Sequence, residues 1–170
     1  HAQYIGKHRM NYTLYGMAGS LYTARARSYM RVNAVPFTEI KAGSKEFTEE
    51  IIPQIGRWII PTMKTPEGAI VQDGADIIDH LDAKGFSKTP IYPGHPTLLA
   101  IAHLFELFGG HGLLRPAMHY RWNFDEVNLA FLRETFRDVL PSGLPEEAQG
   151  PAFDHASGRM REAASVFGVN

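Results

Sequence analysis

The first part of the chain alternates β-rich runs with segments of helical spacing. Residues 12–17 are rich in β-forming side chains and lead into a glycine turn, which predicts a strand. Over residues 21–32 the apolar positions recur at helical spacing, with Ser20 in front of them and Pro36 behind. The pattern therefore predicts a strand, a turn and a helix that begins after Ser20.

The alternation continues with a second strand, a short helix, a hairpin and another helix. Residues 36–40 predict a strand and residues 44–52 a short helix. Residues 58–63 and 69–72 are short β-rich runs on either side of a turn that contains proline and glycine, which predicts a hairpin. Helical spacing follows over residues 74–81. The complete predicted order is βαβαββα.

A proline- and glycine-rich segment separates this order from a second, helical part. Residues 85–96 have the composition of a linker between domains. Beyond the linker, residues 97–108 predict one helix, Asn123 is a candidate cap for the next, and residues 153–167 predict the last, after a loop over residues 141–151. An interruption is expected where helix breakers cluster, at Gly109, Gly110, Gly112 and Pro116.

These segments predict the domain organisation. We expect an extension over residues 1–10, a first domain over residues 11–84, the linker over residues 85–96, and a helical domain over residues 97–170. The extension is short and polar and lacks the apolar block of a secretory signal. It is a vector remnant, a natural extension or the remainder of a cleaved targeting sequence.

The composition excludes several classes of protein. The sequence carries 17 Lys and Arg against 18 Asp and Glu, without a run of like charges, so nucleic acid is not an expected partner. It contains no cysteine, which excludes disulfides, thiolate metal sites and redox steps on a thiol of the protein. The most apolar segment, residues 98–108, is shorter than the roughly 20 residues that a membrane helix needs, and it contains His103 and Glu106. No transmembrane segment is expected.

Several short motifs fall at fixed places in the predicted order. They are Leu14-Tyr15 before Ser20, Arg25 and Arg27 after it, Ile60-Pro61, and Val71-Gln72-Asp73 before Ile77 and Leu81. With the βαβαββα order and the linker, these motifs resemble the glutathione S-transferase family over about residues 11–140. The resemblance implies an α+β chain, in which a thioredoxin-like domain that binds glutathione is followed by an all-helical, incomplete C-terminal domain.

Ser20 is the candidate catalytic residue. A hydroxyl at a helix start lies among unsatisfied N–H groups and at the positive end of the helix dipole, so it favours a neighbouring anion. The resemblance implies that Ser20 donates to a glutathione thiolate, so that the ligand supplies the reactive sulfur. The alternative from sequence alone is that Ser20 only caps the helix. Other branches of the family use a tyrosine for the same task, which makes Tyr15 and Tyr22 the rival candidates. Tyr22, expected at the pocket edge, is the second candidate catalytic residue, and Tyr15 is expected in the core.

A second group of residues is expected to bind the rest of glutathione. The resemblance implies a cis Ile60-Pro61 bond that presents the Ile60 backbone to a peptide-like ligand, although only about 5–6% of X-Pro bonds in folded proteins are cis. It places Gln72 and Asp73 at the γ-glutamyl group, where Asp73 receives the ammonium and the following helix start the carboxylate. The alternative for Asp73 is a helix cap. Gly74 stands where the family has serine, which removes a hydrogen bond worth about 1.5–3 kcal/mol.

Two functions remain open from the sequence. The first is a glutathione transferase that conjugates glutathione to a small apolar electrophile without a metal. The resemblance also implies a further helix after Gly168 that would complete the electrophile pocket, and nothing after Gly168 supplies it. The second function is therefore a non-catalytic scaffold or accessory subunit of a larger assembly. The apolar residues over 97–140 predict a homodimer or a heteromeric assembly. The expected location is the cytoplasm, with a mitochondrion or another organelle as the alternative.

Overall fold

The computed structural model of the protein describes residues 11–169, and the extension predicted over residues 1–10 lies outside this range. The described chain forms two compact units that divide between Lys88 and Thr89. This division falls inside the predicted linker, whose residues 85–95 form no helix or strand. The N-terminal unit therefore carries all of the β-structure, and the second unit is helical.

A four-stranded mixed sheet forms the centre of the N-terminal unit. The strands are β1 (Tyr12–Gly16), β2 (Phe37–Lys41), β3 (Thr62–Lys64) and β4 (Ile70–Gln72), and their order in the sheet is β2-β1-β3-β4. β1 pairs in parallel with β2 and antiparallel with β3, and β3 pairs antiparallel with β4. Gly68, with a φ of +89°, makes the turn between β3 and β4, a conformation that glycine adopts without steric cost.

Helices connect the strands in the predicted order. They are α1 (Leu21–Val32), a π-helical turn (Glu46–Ile51) that leads into α2 (Ile52–Ile55), and α3 (Gly74–Ala83). The predicted βαβαββα order and the thioredoxin-like α+β class are confirmed. α1 coincides with its predicted range because Ser20 caps its start. The first strand of the predicted hairpin is shorter than expected, since β3 begins only at Thr62.

The core of the N-terminal unit lies between one face of the sheet and the helices α1 and α3. Leu14 and Met63 from neighbouring strands, Met30 from α1, and Ile77 and Leu81 from α3 are all fully buried. Full burial of one such side chain stabilises the fold by about 1.5–3 kcal/mol. Because strand side chains alternate between faces, β1 also buries residues on the opposite side of the sheet.

The helical unit contains α4 (Pro96–Leu107), a second π-helical turn (Phe108–Gly112), α5 (Leu114–Trp122), α6 (Asp125–Phe136) and α7 (Glu146–Val166). Its core forms where Trp122, Phe136 and Phe153 pack edge to face, with centroid distances of 5.8 and 5.3 Å between successive rings. The Arg161 guanidinium donates to the Trp122 carbonyl at 2.6 Å. These contacts join α5, α6 and α7.

The interruption predicted after α4 takes the form of a π-helical turn, after which Leu113 leaves the helical conformation before α5 begins. The glycines lie in this turn, and the helical run as a whole extends from Pro96 to Trp122. Gly112 suits this turn because a Cβ there would lie 3.0 Å from the Phe108 ring. Pro116 is tolerated because it lies in the first turn of α5, where the backbone N–H needs no helical partner.

Two predictions in the helical unit are wrong. Asn123 ends α5, where its side-chain amide contacts His119 at 2.9 Å, and it does not cap α6. α7 begins at Glu146 rather than near residue 153, and it runs through Pro151. Glu146 and Glu147 in its first turn favour this early start, because their charges interact with the positive end of the helix dipole.

A row of apolar side chains along α4 and into the first residue of the following π-helical turn is exposed. We call it the α4 stripe and define it as Leu98, Ile101, Phe105 and Phe108, which recur at helical spacing along one face. Phe105 is 71% exposed and the neighbouring Leu104 is 64% exposed. The helical run Pro96–Trp122 is long and apolar enough, by length and composition, to cross a membrane.

Candidate functional site

The turn between β1 and α1 holds Ser20 at the start of the helix. Its backbone N–H donates to the Met17 carbonyl at 3.1 Å, and its Oγ accepts from the Thr23 N–H at 3.2 Å. The cap that sequence offered as the alternative role is therefore present. Capping uses only a lone pair of Oγ, and within residues 11–169 the Ser20 hydroxyl hydrogen has no acceptor. Ser20 can cap α1 and donate to a ligand at the same time.

Arg27 fixes this turn to the neighbouring strand. Its Nη2 donates to the Met17 carbonyl at 3.1 Å, and its Nε and Nη2 donate to the two Glu39 carboxylate oxygens at 2.7 and 2.6 Å. The Arg27 side chain is only 14% exposed, which protects these bonds from water. The Met17 carbonyl thus receives both the Ser20 N–H and the Arg27 guanidinium. The sequence singled out Arg27 as part of a motif but did not indicate this role, because Glu39 lies on another element.

Segments that are distant in sequence meet beside the Ser20 turn. The Ile60-Pro61 bond is cis, as predicted. The Pro61 carbonyl accepts from the Asp73 N–H at 3.2 Å, which joins β3 to the start of α3. Gly74 is buried, and a Cβ on it would lie 3.3 Å from the Tyr22 carbonyl oxygen and 3.8 Å from Pro61 Cγ. The first turn of α1, Pro61 and the start of α3 are therefore in contact.

The contact with α1 gives a physical account of the glycine at position 74. A serine there would bring its Cβ closer to the Tyr22 carbonyl oxygen than an ordinary van der Waals contact. Glycine allows the backbone of α1 to approach the start of α3 without a shift. The missing serine hydroxyl is thus coupled to the packing of two helices.

Asp73 has an unusual backbone conformation at the centre of this group. Its φ of +69° and ψ of 147° lie in a region that residues with a side chain rarely adopt, at a cost of about 1–3 kcal/mol. One carboxylate oxygen, Oδ1, accepts from the Ala75 N–H at 3.0 Å, so Asp73 is also the cap of α3. The other oxygen has no hydrogen-bond partner in the described part of the chain. The conformation presents an exposed carboxylate beside Pro61.

Gln72 and Ile60 border the same place. The Gln72 side-chain oxygen accepts from Arg57 Nε at 3.0 Å, which orients the amide. Among the described residues, the backbone N–H and C=O of Ile60 make no hydrogen bond. The sequence prediction named Gln72 and Ile60 but missed Arg57, because nothing in the local pattern marks the arginine as a neighbour of β4.

The two tyrosines named from the sequence have different environments. Tyr15 is fully buried and donates to Glu46 at 2.5 Å, which confirms the prediction that it belongs to the core. Burial, and then the hydrogen bond to Glu46, raise the pKa of the Tyr15 hydroxyl. Tyr22 is half-buried, and its backbone carbonyl lies at Gly74. Tyr15 therefore belongs to the core, whereas the backbone of Tyr22 contacts the start of α3.

The assembled groups define the chemistry that this site can perform. Ser20 offers a hydroxyl donor at the start of a helix, Ile60 an unpaired peptide edge, and Asp73 a carboxylate at the start of another helix. Such a set suits a short peptide that carries an anion at one end and an ammonium at the other. Within residues 11–169, no group of three or more histidine, aspartate or glutamate side chains is placed to hold a metal ion.

The comparisons with known proteins agree with the observed fold. Residues 14–88 match the family model of the glutathione S-transferase N-terminal domain. The chain is similar in structure to Ure2p in complex with glutathione, at 12% identity and a TM-score of 0.51, over 93% of this chain and 73% of that one. It is also similar to glutaredoxin 2 from Salmonella typhimurium in complex with glutathione, at 15% identity and a TM-score of 0.41, over 89% and 67%. A search of curated proteins gave no match.

The family match falls on the unit that contains the candidate site. Residues 14–88 include the Ser20 turn, Pro61 and Asp73, and they end where the N-terminal unit ends. The structural similarity to Ure2p covers 93% of this chain, so it also includes the helical part after the sheet. The chain thus contains a glutathione S-transferase-like N-terminal domain with the thioredoxin-like fold, followed by a helical part.

Proposed function

We propose that the N-terminal unit binds glutathione and that Ser20 stabilises its thiolate. The observation that carries this proposal is the meeting of the Ser20 turn, Pro61 and Asp73-Gly74 at one place. The Asp73 N–H bond to the Pro61 carbonyl and the close approach of Gly74 to Tyr22 support it. The match to the glutathione S-transferase N-terminal domain covers all of these residues. The Ure2p structure, which shares the fold, is a complex with glutathione.

The Ser20 hydroxyl acts on the sulfur of the ligand. It donates a hydrogen bond to the thiolate, while the N–H groups in the first turn of α1 and the helix dipole add positive potential. Both interactions favour the charged form of the sulfur over the neutral thiol, so they lower the pKa of the bound thiol. The thiolate is the nucleophile, which explains how a chain without cysteine performs thiol chemistry.

The other groups hold the peptide. The backbone N–H and C=O of Ile60, next to Pro61, pair with the cysteinyl part of glutathione. Asp73 receives the γ-glutamyl ammonium through the carboxylate oxygen that does not cap α3. Gln72, oriented by Arg57, and the Gly74 backbone N–H lie at the same end of the ligand. In this arrangement the sulfur lies at the start of α1 and the γ-glutamyl group at the start of α3.

The reaction that we propose is conjugation of the thiolate to a small apolar electrophile, with the ring of Tyr22 at the edge of the electrophile's site. A second candidate is a scaffold or accessory subunit that has kept the fold without the reaction. The absence of a serine hydroxyl at Gly74 favours this second candidate, because it weakens one contact with glutathione.

We also propose that the α4 stripe joins the chain to a second copy, or to another subunit, since large exposed apolar patches are rare in monomers.

Ser20 variants test the proposal directly. Glutathione binding is measured by calorimetry, the pKa of the bound thiol by ultraviolet absorbance of the thiolate, and conjugation with a chlorinated nitrobenzene. We expect Ser20→Ala to raise the thiol pKa and abolish conjugation, with only a small loss in affinity. Ser20→Gly separates the two roles of the hydroxyl, because glycine costs only a few tenths of a kcal/mol as a helix cap. Ser28→Ala, on the exposed side of the same helix, is the control.

Each result has a distinct meaning. No glutathione binding by the wild type would contradict the proposed function. Binding without conjugation would leave the scaffold as the function. Conjugation by Ser20→Gly at the wild-type rate would show that Ser20 is only a cap.

A further inference from the structure

The Arg25 side chain lies beside Gly74, the position at which the family has serine. A Cβ on Gly74 would lie 3.9 Å from Arg25 Cδ, so the Arg25 side chain passes directly beside the start of α3. Arg25 is exposed and follows Tyr22 by one turn on α1, and the Tyr22 carbonyl touches the same glycine. The packing that crowds a serine at position 74 therefore also places an arginine side chain next to that position.

The chemistry of a guanidinium fits one part of the proposed ligand. A guanidinium presents N–H donors in a planar fork that matches the two oxygens of a carboxylate, and it is charged at all relevant pH values. In the proposed complex the γ-glutamyl group carries both an ammonium and an α-carboxylate to this end of the site. Asp73 accounts for the ammonium. The α-carboxylate would otherwise have only backbone N–H groups at the start of α3, among them that of Gly74.

We propose that Arg25 binds the α-carboxylate of the γ-glutamyl group and replaces the hydroxyl that Gly74 lacks. This inference rests on the proposed glutathione site. Its consequence is a site that recognises both charges of the γ-glutamyl group with side chains, Arg25 for the anion and Asp73 for the cation. The missing serine bond has charge on the carboxylate alone, whereas a guanidinium–carboxylate pair has charge on both partners and is worth at least as much. The departure at Gly74 therefore exchanges one carboxylate contact for another.

Two analogues of glutathione separate the charges. Glutaryl-cysteinyl-glycine keeps the carboxylate and lacks the ammonium, and γ-aminobutyryl-cysteinyl-glycine keeps the ammonium and lacks the carboxylate. We expect Arg25→Met to weaken binding of glutathione and of the glutaryl analogue by about 10- to 100-fold, and to leave binding of the γ-aminobutyryl analogue unchanged. Asp73→Asn should show the reverse selectivity. Arg31→Met, in the last turn of α1, is the matched control and should change none of the three affinities.

The outcomes distinguish this inference from the proposed function. Equal weakening of all three ligands by Arg25→Met would show a general effect on the site and would overturn the role in carboxylate binding. Unchanged glutathione affinity in Arg25→Met, with a wild type that binds, would overturn this inference alone. A wild type that binds neither glutathione nor either analogue would overturn both proposals. Arg25→Lys keeps the charge without the fork, so an intermediate affinity for glutathione would support direct contact.

Discussion

The two units of the chain differ in how completely they bury their own apolar side chains. In the N-terminal unit, Leu14, Tyr15 and Phe47 are fully buried, whereas in the helical unit Leu104 and Phe105 are more than half exposed. Burial of apolar surface is the main favourable term in folding, so the first unit has a closed core of its own. The second unit keeps apolar surface that is available to a partner. The comparison indicates that the candidate site lies on a unit that is stabilised by its own buried core. The proposed assembly instead uses the exposed apolar side chains of the helical unit.

The largest expected effect contrasts one phenylalanine from each unit. Phe47→Ala should lower the free energy of unfolding by about 3–5 kcal/mol, because the ring is fully buried between Tyr15 and Trp58. Phe105→Ala, at an exposed position, should change it by no more than about 0.5 kcal/mol at protein concentrations where light scattering shows a monomer. Denaturant unfolding measures both values, preferably in single-tryptophan backgrounds.

The two tryptophans make this measurement specific for each unit. Trp58 lies in the N-terminal unit and Trp122 in the helical unit, so Trp122→Phe leaves fluorescence that follows the first unit alone, and Trp58→Phe does the opposite. A loss of several kcal/mol in the Phe105→Ala monomer would break the comparison, since it would show that Phe105 is buried within one chain. Light scattering should in turn show a smaller particle for Phe105→Ser than for the wild type.

Ion pairs of the two units should differ in the same direction. Arg27 is mostly buried and bonds both Glu39 oxygens and the Met17 carbonyl, so Arg27→Met should cost about 1.5–3 kcal/mol. In the helical unit, Arg133 and Asp154 are about half exposed or more and lie 3.5 Å apart, so Arg133→Met should cost about 0–1 kcal/mol. Equal losses in denaturant unfolding would remove the distinction between the two units.

Asp73 is a point of strain inside the stable unit. Asp73→Gly should raise the free energy of unfolding by about 1 kcal/mol. The strain of the positive φ that glycine relieves is larger than the stabilisation lost with the side-chain cap. The same variant should lose affinity for glutathione. Asp79→Gly, at an exposed position within α3, is the control and should destabilise by about 0.5–1 kcal/mol. Destabilisation by Asp73→Gly would show that the conformation of Asp73 stores no strain.

The smallest expected effect is a pH dependence of the N-terminal unit. Burial and the bond to Glu46 raise the pKa of Tyr15 above its ordinary value of 10.0. The folded state therefore keeps the proton at pH values where the unfolded state has lost it. The contribution is fully present below about pH 10 and is lost as the pH rises further, so the free energy of unfolding should fall less steeply in Tyr15→Phe than in the wild type. An unchanged slope in alkaline unfolding experiments would contradict this.

The sequence was sufficient for the N-terminal unit because its signals are local. Ser20 marks the start of α1, Gly68 the hairpin turn, and alternating side chains the strands, and each of these acts within a few residues. The motifs then located Asp73 and the cis bond before Pro61. What the sequence could not supply were the contacts of Arg25, Arg27 and Arg57, because their neighbours lie on other elements.

The helical unit shows why propensity alone was insufficient. Gly109 and Pro151 are poor helix formers, and the sequence prediction placed breaks at both of them, yet helical structure runs through each position. Asn123 is a favoured cap, yet its amide binds His119 in the preceding helix. Such choices depend on how helices pack along their length, which short sequence windows do not contain.

The close approach of Gly74 to the Tyr22 carbonyl has a consequence for how this chain can change over generations. A single codon change can restore the serine, but the new side chain would need α1 to move by a few tenths of an ångström. A second substitution that gives α1 room at Tyr22 should therefore make a serine at position 74 easier to accommodate. The effect of one substitution in this chain thus depends on which residues already pack α1 against α3.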